Sequence, residues 1–195
     1  MNLLLINMHK HFIIYKPYGM LSQHGTAGYK KKRGLAELFD FPKGVQPIGR
    51  LDEDSEGLLL LTSDNKLNIH IRSRKIEKEY WVQLDGEITE EAILNLQNGV
   101  SITSDKLPYQ TLHCKAWRIL EEPNFPERIP PTRAGRHRPY SWLAIVLKEG
   151  KFRQVRKMTA AVGFPTLRLI RMRIGNMELG NMQPSDVREV SEFML

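Results

Sequence analysis

Four consecutive leucines, Leu58 to Leu61, stand between Gly57 and the cluster Thr62-Ser63-Asp64, directly behind the polar run Gly49-Arg50-Leu51-Asp52-Glu53-Asp54-Ser55-Glu56. A short apolar run bounded by turn-forming residues reads as a strand buried on both faces. The acidic loop ahead of it is then anchored at the edge of a rigid core. Loops held in this way carry chemistry more often than packing.

The elements around this strand set the fold class. Phe12 to Tyr15 reads as a strand that ends at the turn Lys16-Pro17-Tyr18-Gly19, and Leu35 to Phe39 as a short helix. Asp64 is placed to cap a helix over Asn65 to Arg72, and Thr89 one that runs to Leu96 and is ended by Gly99. Lys78 to Leu84 alternates as a strand that buries Tyr80, Val82 and Leu84, and further strands are expected over Thr111 to Ile119, Trp142 to Leu147 and Leu167 to Ile174. Prolines at 123, 126, 130, 131 and 139 forbid a regular element between them, so a long loop is expected there. Lys151 to Val162 reads as a helix with an apolar stripe of Phe152, Val155, Thr159 and Val162. Strands and helices without a regular βαβ period predict an α+β domain, on a mainly antiparallel central sheet flanked by helices and loops.

A chain of 195 residues, 41% of them hydrophobic, can bury one substantial core without disulfides. Its lone cysteine, Cys114, suits a reducing compartment, and the apolar opening Met1 to Met8 is too short to span a bilayer. The net charge of +7 is unevenly spread: Arg128 to Arg173 holds twelve Lys and Arg against Glu149 alone. A focused positive field of this kind is expected to face a polyanion, because neutralising phosphates releases counterions.

Chemistry is expected at a carboxylate of the acidic loop. A nucleophilic carboxylate in a partly closed site needs a neighbouring cation to keep it ionised, since burial alone raises its pKa. Arg156, next to stripe member Val155, is placed at the boundary of a buried face and can supply that partner. Tyr80, taken alone, reads as a core tyrosine on a strand.

Four segments in order, Lys16-Pro17-Tyr18-Gly19-Met20-Leu21, Gly49 to Asp64, Glu77 to Val82 and Glu149 to Met158, resemble the motifs of RNA pseudouridine synthases of the RsuA family. The run Gly163 to Arg171 is similar to the minimal RluE-like branch, which modifies large-subunit ribosomal RNA. The resemblance covers most of the chain and implies the pseudouridine synthase catalytic fold, with a cleft across the sheet. It implies Asp52 as the nucleophile, Tyr80 as the ring stacked on the target base and a candidate for proton transfer, and Arg156 as the ion-pair partner of Asp52. Lys16, Pro17 and Gly19 become a turn that supports the catalytic loop, and Arg50 the side chain that fills the space left by a flipped uridine. RNA contacts are expected from Arg50, Lys151, Arg153, Lys157, Arg133, Arg136, Arg138, Arg168 and Arg171. The isomerisation implied needs no cofactor and no metal. The expected setting is a cytoplasmic monomer of one domain spanning 1–195, with no S4-type domain ahead of it, no membrane and no obligate protein partner, acting on ribosomal RNA.

Two other readings compete. Asp52 and Asp54, spaced Asp-x-Asp, could ligate a hard cation in a glycosyl- or phosphoryl-transfer enzyme. The basic segment alone would suit a non-catalytic RNA-binding module, although such a module gains nothing from a half-buried carboxylate that faces phosphates.

Overall fold

The computed structural model describes residues 9–26, 28, 31–73, 76–132 and 138–194. Its strands are β1 (His11–Lys16), β2 (Gln46–Pro47), β3 (Glu56–Thr62), β4 (Lys78–Asp85), β5 (Ser101–Ser104), β6 (Leu107–Gln110), β7 (Lys115–Ile119), β8 (Tyr140–Leu147), β9 (Thr166–Ile174), β10 (Met177–Glu178) and β11 (Val187–Val190). The helices are α1 (Asn65–Arg72), α2 (Glu90–Asn98) and α3 (Gln154–Ala161), with a single 3-10 turn at Leu35–Glu37 where a short helix was expected.

The main sheet runs β11-β1-β3-β9-β4-β8-β7, with β10 added to β9 and β2 to β3, while β5 and β6 pair separately. Every pairing in it is antiparallel except β3 with β9, which run parallel and touch through Glu56↔Ile170 and Gly57↔Arg171. The sheet is therefore two antiparallel halves joined along a short parallel seam, which bears out the α+β reading. Only glycine fits at residue 57: its φ is 101°, and a Cβ there would lie 2.4 Å from the Arg171 carbonyl oxygen.

Alternation along the strands divides the core. Ile13, Tyr15, Leu58 and Leu60 pack with Trp142 and Ile170 on one face, across both halves. On the opposite face Phe12, Ile14, Leu59 and Leu61 pack with Met20, Leu35, Val45 and Leu51. The other half has its own core there, where Val82, Leu143, Ile145 and Leu169 meet Ile93 and Leu96 of α2 and Val155 and Met158 of α3. All four leucines of the run are fully buried, each contributing about 1.5–3 kcal/mol. Tyr80 packs against both cores of the divided face, so it sits where they part.

Capping follows the sequence signals. Asp64 accepts hydrogen bonds from the Lys66 and Leu67 amides, Thr89 accepts one from Ala92, and Gly99 ends α2 at φ 89°. Two expectations are corrected. The helix expected from Lys151 begins at Gln154, because Arg153 adopts the left-handed conformation at φ 54°. Phe152 therefore falls outside the helix and is 68% exposed rather than part of its apolar stripe. The strand expected from Thr111 begins at Lys115, and it is preceded by the β5–β6 hairpin.

Candidate active site

The acidic loop is fixed from several sides. Ser22 Oγ accepts from the Leu51 amide at 2.9 Å and donates to the Leu51 carbonyl at 2.7 Å, while the Gly19 amide donates to the Glu53 carbonyl at 2.8 Å. A turn closes between them, with the Ser55 amide on the Asp52 carbonyl at 3.1 Å. Lys16, fully buried, donates to the carbonyls of Met20 at 2.7 Å, Pro17 at 2.9 Å and Glu53 at 3.5 Å. Its ammonium thus ties the Lys16–Gly19 turn to the loop that carries Asp52, the supporting role the resemblance implies. Burial pushes this lysine down to about 7, while Glu56, Asp54, Asp52 and Glu53 pull the other way. Nothing in the local sequence marks Ser22 for its part.

Asp52 opens into a cleft of about 810 Å³ whose lining includes Arg50, Tyr80, Lys151, Arg153 and Phe152. The structure thus brings together Asp52, Tyr80, Arg50, Lys151 and Arg153 as expected from sequence. The partner of Asp52 is different. Arg153 Nη1 approaches the Asp52 carboxylate at 3.6 Å, and the same guanidinium grips Asp54 through two bonds of 2.8 Å. Arg156 instead donates to the Asp54 carbonyl at 2.7 Å and lies 3.5 Å from the Asp54 carboxylate. The expected Arg156–Asp52 pair is therefore corrected to Arg153. The left-handed backbone at Arg153, which for a residue with a Cβ costs about 1–2 kcal/mol, turns that side chain into the loop.

Electrostatics separates the two aspartates. Burial raises the pKa of Asp52; Arg153 opposes it, Asp54 adds to it, and Arg156 and Lys16 oppose it, leaving a net rise. Burial also acts to raise Asp54, but the Arg153 hydrogen bonds and the charges of Arg156 and Arg153 outweigh it, and Asp54 ends below the usual carboxylate range. Asp54 is thus a held anion that positions Arg153, and Asp52 a less fully compensated carboxylate facing the cleft. A bidentate guanidinium on Asp54 is also not the environment of a hard cation shared by an Asp-x-Asp pair. If Asp52 reacts as an anion, the role the motif resemblance implies, activity falls as pH drops through its pKa. Arg153→Ala is expected to shift that acid limb to higher pH, read from the pH profile of kcat/KM. An unmoved limb would remove Arg153 from this role.

The basic segment behaves differently from its sequence. Arg138 pairs with Asp85, Arg153 and Arg156 with Asp54, Arg168 with Glu56, and Arg173 with Glu77 and Glu79. The missing acids come from elsewhere in the chain, so the segment does not present its charge as one free face. Arg168 and Arg171, expected among the RNA-contacting cations, are not on a free face: they are 6% and 3% exposed, and Arg171 lines the cleft. Arg168 is spent on Glu56 through two bonds of 2.8 Å, and Arg171 Nε donates to the Leu58 carbonyl at 2.7 Å. Lys157 donates to the Thr103 carbonyl at 2.7 Å, and Lys151 lies 4.5 Å from the centre of the Tyr109 ring. Arg128 covers the Tyr18 ring at 4.2 Å. Arg133 and Arg136 lie outside the described residues. Glu149, the one acid of the segment, is buried, holding the Tyr109 hydroxyl, the Leu112 amide and Gln154, and so shapes the Lys151–Arg153 bend.

The chain as a whole has counterparts among known proteins. Residues 10–161 match the RNA pseudouridylate synthase family. The chain is 42% identical over 187 residues to the ribosomal large subunit pseudouridine synthase E of Vibrio vulnificus (strain CMCP6), covering 93% of this chain and 75% of that one. It is 41% identical over 178 residues to the protein of the same description from Xanthomonas campestris pv. campestris, covering 90% and 92%. The crystal structure of a pseudouridylate synthase matches with a TM-score of 0.73 at 26% identity, over 93% of this chain and 70% of that one. A Cbf5–Nop10–Gar1 complex, at TM-score 0.54 and 14% identity over 87% of this chain and 50% of that one, shares the fold. The chain belongs to the RNA pseudouridylate synthase family and is an isomerase of that class.

Proposed function

We propose that this protein converts a specific uridine of large-subunit ribosomal RNA to pseudouridine, with Asp52 as the nucleophile. The observation that carries this reading is Asp52, whose backbone neighbours Leu51 and Glu53 are pinned on both sides and whose carboxylate opens into the same cleft as Tyr80. A uridine must leave its stack to reach it, at a cost of a few kcal/mol. Arg50, exposed at the cleft, is placed to occupy the vacated space, and Tyr80 to stack on the flipped base. Asp52 then promotes cleavage of the glycosidic bond, the uracil turns, and its carbon 5 rejoins the sugar. The relatives named for a large-subunit activity support the choice of RNA. Cytoplasmic action as a monomer suits Cys114, whose thiol is pushed up to about 11 by burial, with Glu149 adding to it, and donates to the Leu96 carbonyl, which leaves it unreactive. Mapping pseudouridines in ribosomal RNA from cells with and without the gene tests the proposal; identical maps would overturn it.

Phosphate contacts are expected from Arg50 and Lys151, cleft cations that have no carboxylate partner among the described residues. Replacing Arg50 and Lys151 with alanine should lower the slope of log affinity against log salt by about 0.7 to 0.9 per lost contact. The same measurement with an unchanged slope would move the RNA path elsewhere.

A further inference from the structure

Lys78 and Arg171 take no part in the chemistry assigned above, yet both line the cleft with Asp52 and Tyr80. Lys78 and Tyr80 are two apart on β4 and share a face. Between Glu79 and Tyr80 the register with β9 slips: Glu79 faces Arg173, but Tyr80 faces Arg171. The irregularity sets an arginine beside the stacking ring where an even register would set Met172, and bulges near active sites commonly re-aim a side chain in this way.

Among the described residues both cations lack an anion. Arg171 uses Nε on the Leu58 carbonyl, and its buried Nη2 has no hydrogen-bond partner among the described residues. Lys78 donates to the Ile76 carbonyl at 3.0 Å, and among the described residues no carboxylate lies in ion-pair range of it. Burial, with the charge of Arg171 adding, pushes the lysine down to about 8, which leaves it mostly protonated at neutral pH. Two adjacent desolvated cations disfavour the folded state unless a charge arrives to meet them.

The reaction proposed above supplies one. When the bond from the sugar carbon to N1 breaks, its electron pair stays with the base and spreads from N1 onto the carbonyl oxygens. Re-attachment through carbon 5 spends a ring electron pair; the proton on carbon 5 is then lost and N1 is protonated, so the charge is transient. We propose that Lys78 and Arg171 form the subsite for a uracil carbonyl oxygen and stabilise the negative charge that the base carries between the two bonds, a role that rests on the proposed function. Fixed donors aimed at developing charge are worth about 10²–10³ in rate.

The test compares the parental protein with Lys78→Met, whose side chain keeps similar length without charge, in single turnover on ribosomal RNA fragments carrying uridine or 5-fluorouridine. Loss of the N-glycosidic nucleoside is followed by mass spectrometry of the digested RNA. Lys78→Met should react about 10²-fold more slowly with uridine. Fluorine draws charge from the ring, so its penalty with 5-fluorouridine should be markedly smaller, and Lys78→Arg should recover much of the rate. RNA affinity should hold, and Lys78→Met should melt no lower than the parent, since it removes an uncompensated charge. A parental rate in Lys78→Met, or equal penalties with the two nucleosides, overturns the subsite while leaving the isomerase reading intact. A parental protein that forms no pseudouridine overturns that reading, and is seen before any variant is compared.

Discussion

Asp52→Ala is expected to lose pseudouridine formation by at least about ten-thousand-fold, the scale seen when a group on which covalent chemistry depends is removed. Tritium release from RNA labelled at uridine carbon 5 is the readout. The loss should come without unfolding, because the carboxylate is partly buried beside Asp54 and its pKa is raised. A carboxyl whose folded pKa exceeds its unfolded value destabilises the native state at neutral pH, so Asp52→Asn should melt at the parental temperature or above it. RNA affinity should hold or rise, since a negative group facing phosphates has gone. Appreciable turnover by Asp52→Ala would take the nucleophile's role away from it.

The second large effect is structural. Arg168 and Glu56, with side chains 7% and 3% exposed, meet through two bonds of 2.8 Å across β9 and β3. Arg168→Met leaves the Glu56 carboxylate buried without its cation and should cost about 3–5 kcal/mol in urea unfolding. Combining it with Glu56→Leu should restore most of that stability, because the double variant strands no charge. A single-variant loss below about 1 kcal/mol, the range of exposed pairs, would mean that water reaches the pair.

What could be read from sequence was what nearby residues decide. Asp64 and Thr89 cap the helices they were expected to cap, and the leucine run is a fully buried strand of the main sheet, because caps and short apolar runs are properties of a few consecutive residues. Asp52 and Tyr80 in one cleft followed from the order of the motifs. The identity of the cation on Asp52 did not, since Arg153 reaches it from a left-handed backbone that no glycine or asparagine announces. The β5–β6 hairpin was missed for a related reason: Asp105 and Lys106 both take positive φ, at 52° and 66°, where such turns usually carry Asn-Gly or Asp-Gly. Arg168 and Arg171 looked like surface cations because their partners Glu56 and Leu58 are 112 and 113 residues away. A charge run in sequence is not a charged face when the fold brings distant acids to it.

The parallel seam between β3 and β9 has a consequence for how this enzyme loses activity. The loop bearing Asp52 and Asp54 enters on one side of it, while Tyr80, Arg153 and Arg156 come from elements on the other. Gly57, the Arg168–Glu56 pair and the Arg171 bond to Leu58 all lie along it. Parting these two strands by a few ångströms would dismantle the proposed catalytic constellation while each antiparallel half kept its own ladders. Sub-global openings of this kind have lower free energies than complete unfolding. Inactivation on warming should therefore run ahead of the loss of secondary structure, and the temperature at which turnover ceases becomes a gauge of the latch between the halves.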